Sequence, residues 1–199
     1  MSYLTAARDA SHGEVINGST FIAYVASVDS LEAAHALLQR ARDEHPDASH
    51  HCWAYKIADV LRFSDDGEPG GSAGRPMLEV ILKRELDHCA AVVVRYFGGK
   101  KLGVGGLVRA YSGSVARALD SAGVREVVPT QQLEVRAPFA ATDTVLRAIG
   151  ALTSAAQTSF DERGLVVTLE IPDSDVETLS EQLAELTSGA VTVKELATK

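Results

Sequence analysis

The stretch "CAAVVVRYFGGKKLGVGGLVRAYSG", Cys89 to Gly113, decides how this 199-residue chain folds. Its first part, ending at Phe97, is a near-continuous apolar run, the pattern of a central strand buried on both faces. From Gly106 the apolar residues Leu107, Ala110, Tyr111, Val115, Ala118 and Leu119 recur at helical spacing, and Gly123 is placed as a C-cap. A strand, a glycine-rich turn and a helix starting near Gly105 or Gly106 aim free backbone N–H groups and the positive end of a helix dipole at one spot. Arg95, Lys100, Lys101 and Arg109 stand close by in sequence, so the spot is expected to attract phosphate. It is not a Walker A loop, because no GK[ST] follows, and the dinucleotide fingerprint fails at Val108, where the third glycine is missing. The competing reading gives the glycines a packing or positive-φ role with no ligand.

Charge sharpens the question. The chain carries a formal net charge of −8, which argues against wrapping duplex DNA by bulk charge. Yet no acid occurs between His88 and Leu119, where Arg95, Lys100, Lys101, Arg109 and Arg117 are all basic. Residues 129–199 hold 5 basic against 11 acidic side chains, and residues 1–128 hold 14 against 16, so the second part is the acidic one. The 46% hydrophobic and 23% charged content is that of an ordinary globular chain. No membrane span or secretory signal is expected, which points to the cytoplasm. The two cysteines, Cys52 and Cys89, form no CxxC pair and are expected to be reduced thiols.

Working outward, "STFIAYVASV" (Ser19 to Val28) reads as a strand. A helix follows, opened by Asp29 and Glu32 as a capping box, with Leu31, Ala34, Leu38 and Ala41 on its apolar side. "HCWAYKIA" and "LRFSDDGEP" read as a hairpin, and Pro76 opens a helix with Leu78, Ile81 and Leu82 inward. After "VVPTQQ" the order strand, helix, strand, strand, helix, strand reads as a ferredoxin-like βαββαβ arrangement. The expected fold class is therefore α+β, with domains at 1–128 and 129–199.

Three other motifs favour structural readings. "GGSAG" (Gly70 to Gly74) fits a nucleophile-elbow pattern, but a polar turn precedes it where a buried strand is required, so Ser72 is read as a helix cap or lead-in. Asp65, Asp66 and Glu68 miss the calcium-loop spacing, and Asp-Gly is a turn former. In "HHC", strand alternation puts only His50 and Cys52 on one face, short of a zinc set. No metal, cofactor or catalytic residue is expected.

"HHCWAY", "DDGEPGGSAGRPML" and "VVVRYFGGKKLGVGGLVRAY" occur in the order and approximate spacing of the IMPACT family, which the chain resembles over most of residues 15–128. The resemblance carries over onto His50, Asp65, Asp66, Gly67, Glu68, Pro69, Ala73, Gly74, Arg95, Tyr96, Phe97, Gly98, Gly99, Leu102, Gly103, Gly105 and Gly106. Lys101 departs from the apolar residue that other members often carry there. The resemblance implies a first domain like domain IV of the translocation elongation factor, a βαβ fold shared with a small-subunit ribosomal protein, and a second like domain V. Eukaryotic members regulate translation by interfering with activation of a stress kinase, and they replace the second domain with a different partner-binding module.

The expected function is that of a non-enzymatic, translation-associated regulator. It binds RNA or the ribosome through Arg95, Gly98, Gly99, Lys100, Lys101, Gly103, Gly105, Gly106 and Arg109. Two readings compete: an enzyme acting on a phosphorylated small molecule, and a protein-binding regulator whose acidic second domain meets a partner in translation. Convergence of His50, Asp65, Asp66 and Glu68 with the glycine loop in one cleft would favour the enzyme, and an open basic face would favour RNA.

Overall fold

The structure, a computed structural model, describes residues 2–196, and the chain divides into two compact units, Tyr3–Val127 and the segment from Val128 onward. The first unit runs β1 (Tyr3–Ala6), β2 (Ala10–Ile16), β3 (Ser19–Ser27), α1 (Leu31–Glu44), β4 (His50–Ile57), β5 (Val60–Ser64), α2 (Gly74–Lys83), β6 (Cys89–Tyr96), α3 (Val104–Ala122) and β7 (Val124–Val127). Its main sheet is ordered β2-β3-β6-β4-β5 with every neighbouring pair antiparallel. Because β3 and β4 both flank β6, the β3-α1-β4 passage is a split βαβ unit.

Period-two alternation along β6 builds two cores. Cys89, Ala91 and Val93 pack with Met77 and Ile81 of α2 and with Leu107, Tyr111, Val115 and Leu119 of α3. Ala90, Val92 and Val94 pack with Leu37, Leu38 and Ala41 of α1 and with Tyr55. A central strand covered on both faces must be apolar throughout, as this one is until Arg95.

Some local expectations need correction. The α1 cap is Ser30, whose Oγ accepts from the Ala33 N–H at 3.2 Å, rather than Asp29. Leu31 is exposed and Leu37 is buried in the α1 core, because the apolar stripe is set by contact with β6 and β4. Leu82 is likewise exposed, while Pro76 and Met77 are buried. Ser72 is buried but caps no helix, since its hydroxyl donates to the Pro69 carbonyl at 2.6 Å. Helix α3 starts at Val104, earlier than Gly105 or Gly106, with Gly103 as its N-cap. Strands β1, β2 and β7 carry no apolar run that would mark them in the sequence; β1 and β7 pair as a separate two-stranded sheet.

The second unit contains β8 (Thr130–Ala137), a 3₁₀ turn, α4 (Thr142–Leu152), β9 (Gln157–Asp161), β10 (Gly164–Pro172), α5 (Asp173–Leu186) and β11 (Thr192–Glu195). Its antiparallel sheet is ordered β11-β8-β10-β9, the strand order of a split βαβ fold. Leu133, Val135, Leu165, Val167 and Leu169 face Val145, Ile149, Leu179 and Leu183 of the two helices.

Each unit has its own apolar core, so residues 3–127 made alone are expected to unfold in one cooperative urea transition with native far-ultraviolet circular dichroism. A gradual, non-cooperative loss of signal would contradict this.

Candidate functional site

The sheet register places Arg95 at the end of β6 between Phe21 of β3 and His50 of β4, all on the face covered by α2 and α3. A guanidinium cannot enter a core unpaired. Here Arg95, only 4% exposed, donates from Nη1 to Glu68 Oε1 at 2.5 Å, and its Cζ lies 5.4 Å from the ring centroids of both Phe21 and Phe97. Tyr111 of α3 donates to the same carboxylate oxygen at 2.7 Å, and its ring meets Phe21 edge-on at 5.3 Å. Burial pushes the Tyr111 phenol far above its ordinary range, so it stays protonated and remains a donor. His50 Nε2 stands 3.9 Å from Glu68 Oε1, and its Nδ1 lies 2.8 Å from the Asp66 carbonyl oxygen.

The remaining carboxylates of "DDGEP" have structural work. Asp65 Oδ1 accepts from the Ala73 and Gly74 N–H groups at 3.0 and 2.8 Å, and its Oδ2 accepts from Gly71 at 2.7 Å. Asp65 is thus the acceptor that stands at the start of α2 where Ser72 was expected. Asp66 Oδ2 accepts from the His51 N–H at 2.7 Å, and its Oδ1 lies 4.0 Å from Arg42. Asp66 and Gly67 both have positive φ, +42° and +87°, as an Asp-Gly turn demands. No group of three His, Cys, Asp or Glu side chains suited to a metal occurs among the described residues.

The glycine loop leaves β6 pinned at two points. Ser49 Oγ accepts from the Phe97 N–H at 3.1 Å, and Ser19 Oγ accepts from Gly98 at 3.1 Å and from Arg95 Nη2 at 3.3 Å. Gly98 is glycine for packing, since a Cβ there would lie 1.9 Å from the Gly18 carbonyl oxygen. Gly99 and Gly103 adopt φ of +84° and +71°, and a Cβ on Gly106 would crowd Leu102 at 2.9 Å. Gly105 is different: its φ is ordinary and the nearest heavy atom to a Cβ would be Arg109 Nη1 at 3.8 Å. The packing reading therefore accounts for four of these five glycines and leaves Gly105, in the first turn of α3, without a conformational reason.

Helix α3 begins with no side-chain cap and no acid in its first turn. Lys100, Lys101 and Arg109 are exposed and lie within 4 Å of no carboxylate among the described residues. Next to this helix start, Glu68, Pro69, Arg95, Phe97, Lys101, Leu102, Gly103, Val104 and Leu107 line a cleft of about 300 Å³. The structure thus gathers most of the expected residues. It removes Arg95 from the exposed set, because the guanidinium is spent on Glu68, and it turns the Asp65 and Asp66 carboxylates toward backbone N–H groups. Tyr111, Ser19, Ser49 and Phe21 were not foreseen as parts of the site. A buried Tyr on the apolar stripe of α3 reads as plain core in sequence.

The first unit is thus a five-stranded antiparallel sheet with a buried Arg–Glu–Tyr cluster beside its glycine loop. The Impact N-terminal domain family matches residues 17–119. The IMPACT family member YigZ of Escherichia coli (strain K12) is 34% identical over 195 residues, 96% of each chain. The IMPACT family member YvyE of Bacillus subtilis (strain 168) is 45% identical over 128 residues, 63% of this chain and 59% of that one. A crystal structure of a hypothetical protein superposes with a TM-score of 0.70 at 33% identity, covering 100% of this chain and 98% of the other. The chain belongs to the IMPACT family and is YigZ-like.

Two predictions follow from the cluster. Glu68→Ala strands a buried guanidinium and is expected to cost about 3–5 kcal/mol, whereas Tyr111→Phe removes one hydrogen bond to a charge and costs about 1.5–3 kcal/mol. Urea midpoints check both, and a loss below about 1 kcal/mol in Glu68→Ala would show that the pair is not buried in solution. Burial also pushes both thiols up, Cys89 to about 12 and Cys52 further. Iodoacetamide at neutral pH should therefore label neither in the folded protein and both in urea.

Proposed function

We propose that the protein is a non-enzymatic, translation-associated regulator that acts in the cytoplasm and binds RNA or the ribosome through the glycine loop and the start of α3. The observation that carries this reading is the grouping of Lys100, Lys101 and Arg109, exposed and without carboxylate partners, around a helix N-terminus that no side chain caps. The first-turn N–H groups of α3 supply one anion contact, and the three cations supply counterion-releasing contacts to neighbouring phosphates. Gly105 supports the same reading. Glycine in a helix costs about 1 kcal/mol relative to alanine, and a residue without a side chain lets a ligand approach the backbone closely.

The enzyme reading draws less support. His50 and Glu68 do approach each other, but Glu68 is held by Arg95 and Tyr111, and the Asp65 and Asp66 carboxylates accept from backbone groups. The resemblance of the chain to regulators of translation in eukaryotes agrees with a binding role, and a protein partner in translation remains compatible with the acidic second unit.

With three cations available, log affinity for RNA should fall against log salt with a slope of about −2 to −3, using roughly 0.7–0.9 per contact. Lys100→Glu with Lys101→Glu should flatten that slope and weaken binding to all sequences alike, because phosphate contacts position without specifying a base. Ribosome co-sedimentation and RNA titration across a salt series check this. Unchanged affinity and slope in a folded double mutant would remove the two lysines from the interface.

A further inference from the structure

Phosphate contacts alone need no apolar cleft, yet one opens beside the start of α3. Its apolar lining is Phe97, Leu102, Val104 and Leu107, and the buried Glu68–Arg95 pair also lines it. Phe97 is 49% exposed and Val104 57% exposed, so apolar surface is presented to solvent in the middle of a cationic region. The polar groups of this pair are incompletely used. Arg95 Nη1 and Tyr111 both donate to Glu68 Oε1, and no described residue donates to Oε2. Arg95 Nε, on a side chain that is nearly fully buried, has no hydrogen-bond partner.

A cleft with apolar walls, lined also by Glu68, whose Oε2 has no donor among the described residues, and by Lys101 beside a helix N-terminus, suits a planar heterocycle that carries an amino group and is linked to phosphate. We propose that the cleft takes a single unstacked nucleobase from an RNA strand, set against the Phe97 ring, with its exocyclic amino group donating to Glu68 Oε2. Carboxylates accept from the cytosine amino group in known base readout, and aromatic stacking of splayed bases is the usual way single strands are held. This inference depends on the RNA-binding reading above and narrows it: the preferred ligand is single-stranded, and bases bearing an amino group are favoured over uracil. The source is a strand rather than a free nucleotide because Lys100 and Arg109 lie beyond the slot, available for neighbouring phosphates.

The test is fluorescence anisotropy of a labelled short single-stranded RNA of mixed sequence against the same length of abasic strand, with the full chain as wild type, Phe97→Ala and Phe97→Trp. Wild type is expected to bind the intact strand roughly tenfold more tightly than the abasic one. Phe97→Ala should bind the two alike and Phe97→Trp should restore the difference, with melting curves confirming that each is folded. Oligocytidine should bind more tightly than oligouridine. If Phe97→Ala does not fold, the intact-against-abasic comparison on wild type decides by itself. Equal wild-type affinity for intact and abasic strands would overturn the base slot while leaving the phosphate contacts standing. Failure of both strands to bind would overturn the slot and the RNA-binding reading together. Competition by cytidine monophosphate as effective as that by the strand would assign the slot to free nucleotides and overturn the proposal as stated.

Discussion

The buried pairing of Glu68 with Arg95 is the constraint that arranges the first unit. Burying an isolated charge is prohibitive, and even a paired one returns its desolvation cost only when the geometry is good. Arg95 meets that condition with a carboxylate at 2.5 Å, aromatic faces on two sides and the Ser19 hydroxyl. These partners come from separate parts of the chain: Ser19 and Phe21 from β3, Glu68 from the turn before α2, Phe97 from the loop and, through Glu68, Tyr111 from α3. One cluster therefore fixes the position of the glycine loop relative to both helices on that face. Removing either charge would release the loop as well as cost stability.

The cluster also explains how a chain with a net charge of −8 can present a cationic surface. The acids of the "DDGEP" turn are engaged: Glu68 is buried and neutralised by Arg95, and Asp65 and Asp66, both half-buried, accept from the backbone of Gly71, Ala73, Gly74 and His51. What stays at the surface is Lys100, Lys101 and Arg109 beside an uncapped helix end, where the local potential and not the total charge decides what approaches. Within the second unit, Arg136 is tied to Glu134 and Asp161.

Sequence and structure agree where burial imposes a pattern. β3, β6, the β4–β5 hairpin, α3 and the βαββαβ order of the second unit are legible because apolar periodicity reports burial directly. β2, "ASHGEVI", is an edge strand whose residues alternate only between half-buried and exposed, so it leaves a weak trace. The α1 stripe shifts from Leu31 to Leu37 because contact with the sheet decides which turn is covered. At the site, the glycines and lysines are legible but the partner of Arg95 is not. Asp65, Asp66 and Glu68 are equally good candidates in sequence, and only the Asp-Gly turn, by reversing the chain, sends Glu68 inward and leaves Asp65 to accept from the start of α2. A basic residue at the end of a buried strand implies an acid close in space, but only the folded turn shows that the acid is Glu68 rather than Asp65 or Asp66.

The central claim is that this cluster holds the start of α3 and its loop as the ligand-facing part of the molecule. The most direct measurement is a two-dimensional amide NMR titration of the labelled full chain with a short single-stranded RNA. The account predicts that the largest shifts fall on Gly99 to Leu107, with the amides of Val104, Gly105 and Gly106 foremost, while the second unit stays unmoved. Shifts centred on the second unit, or on the edge strand β5, with the α3 start unperturbed, would contradict it.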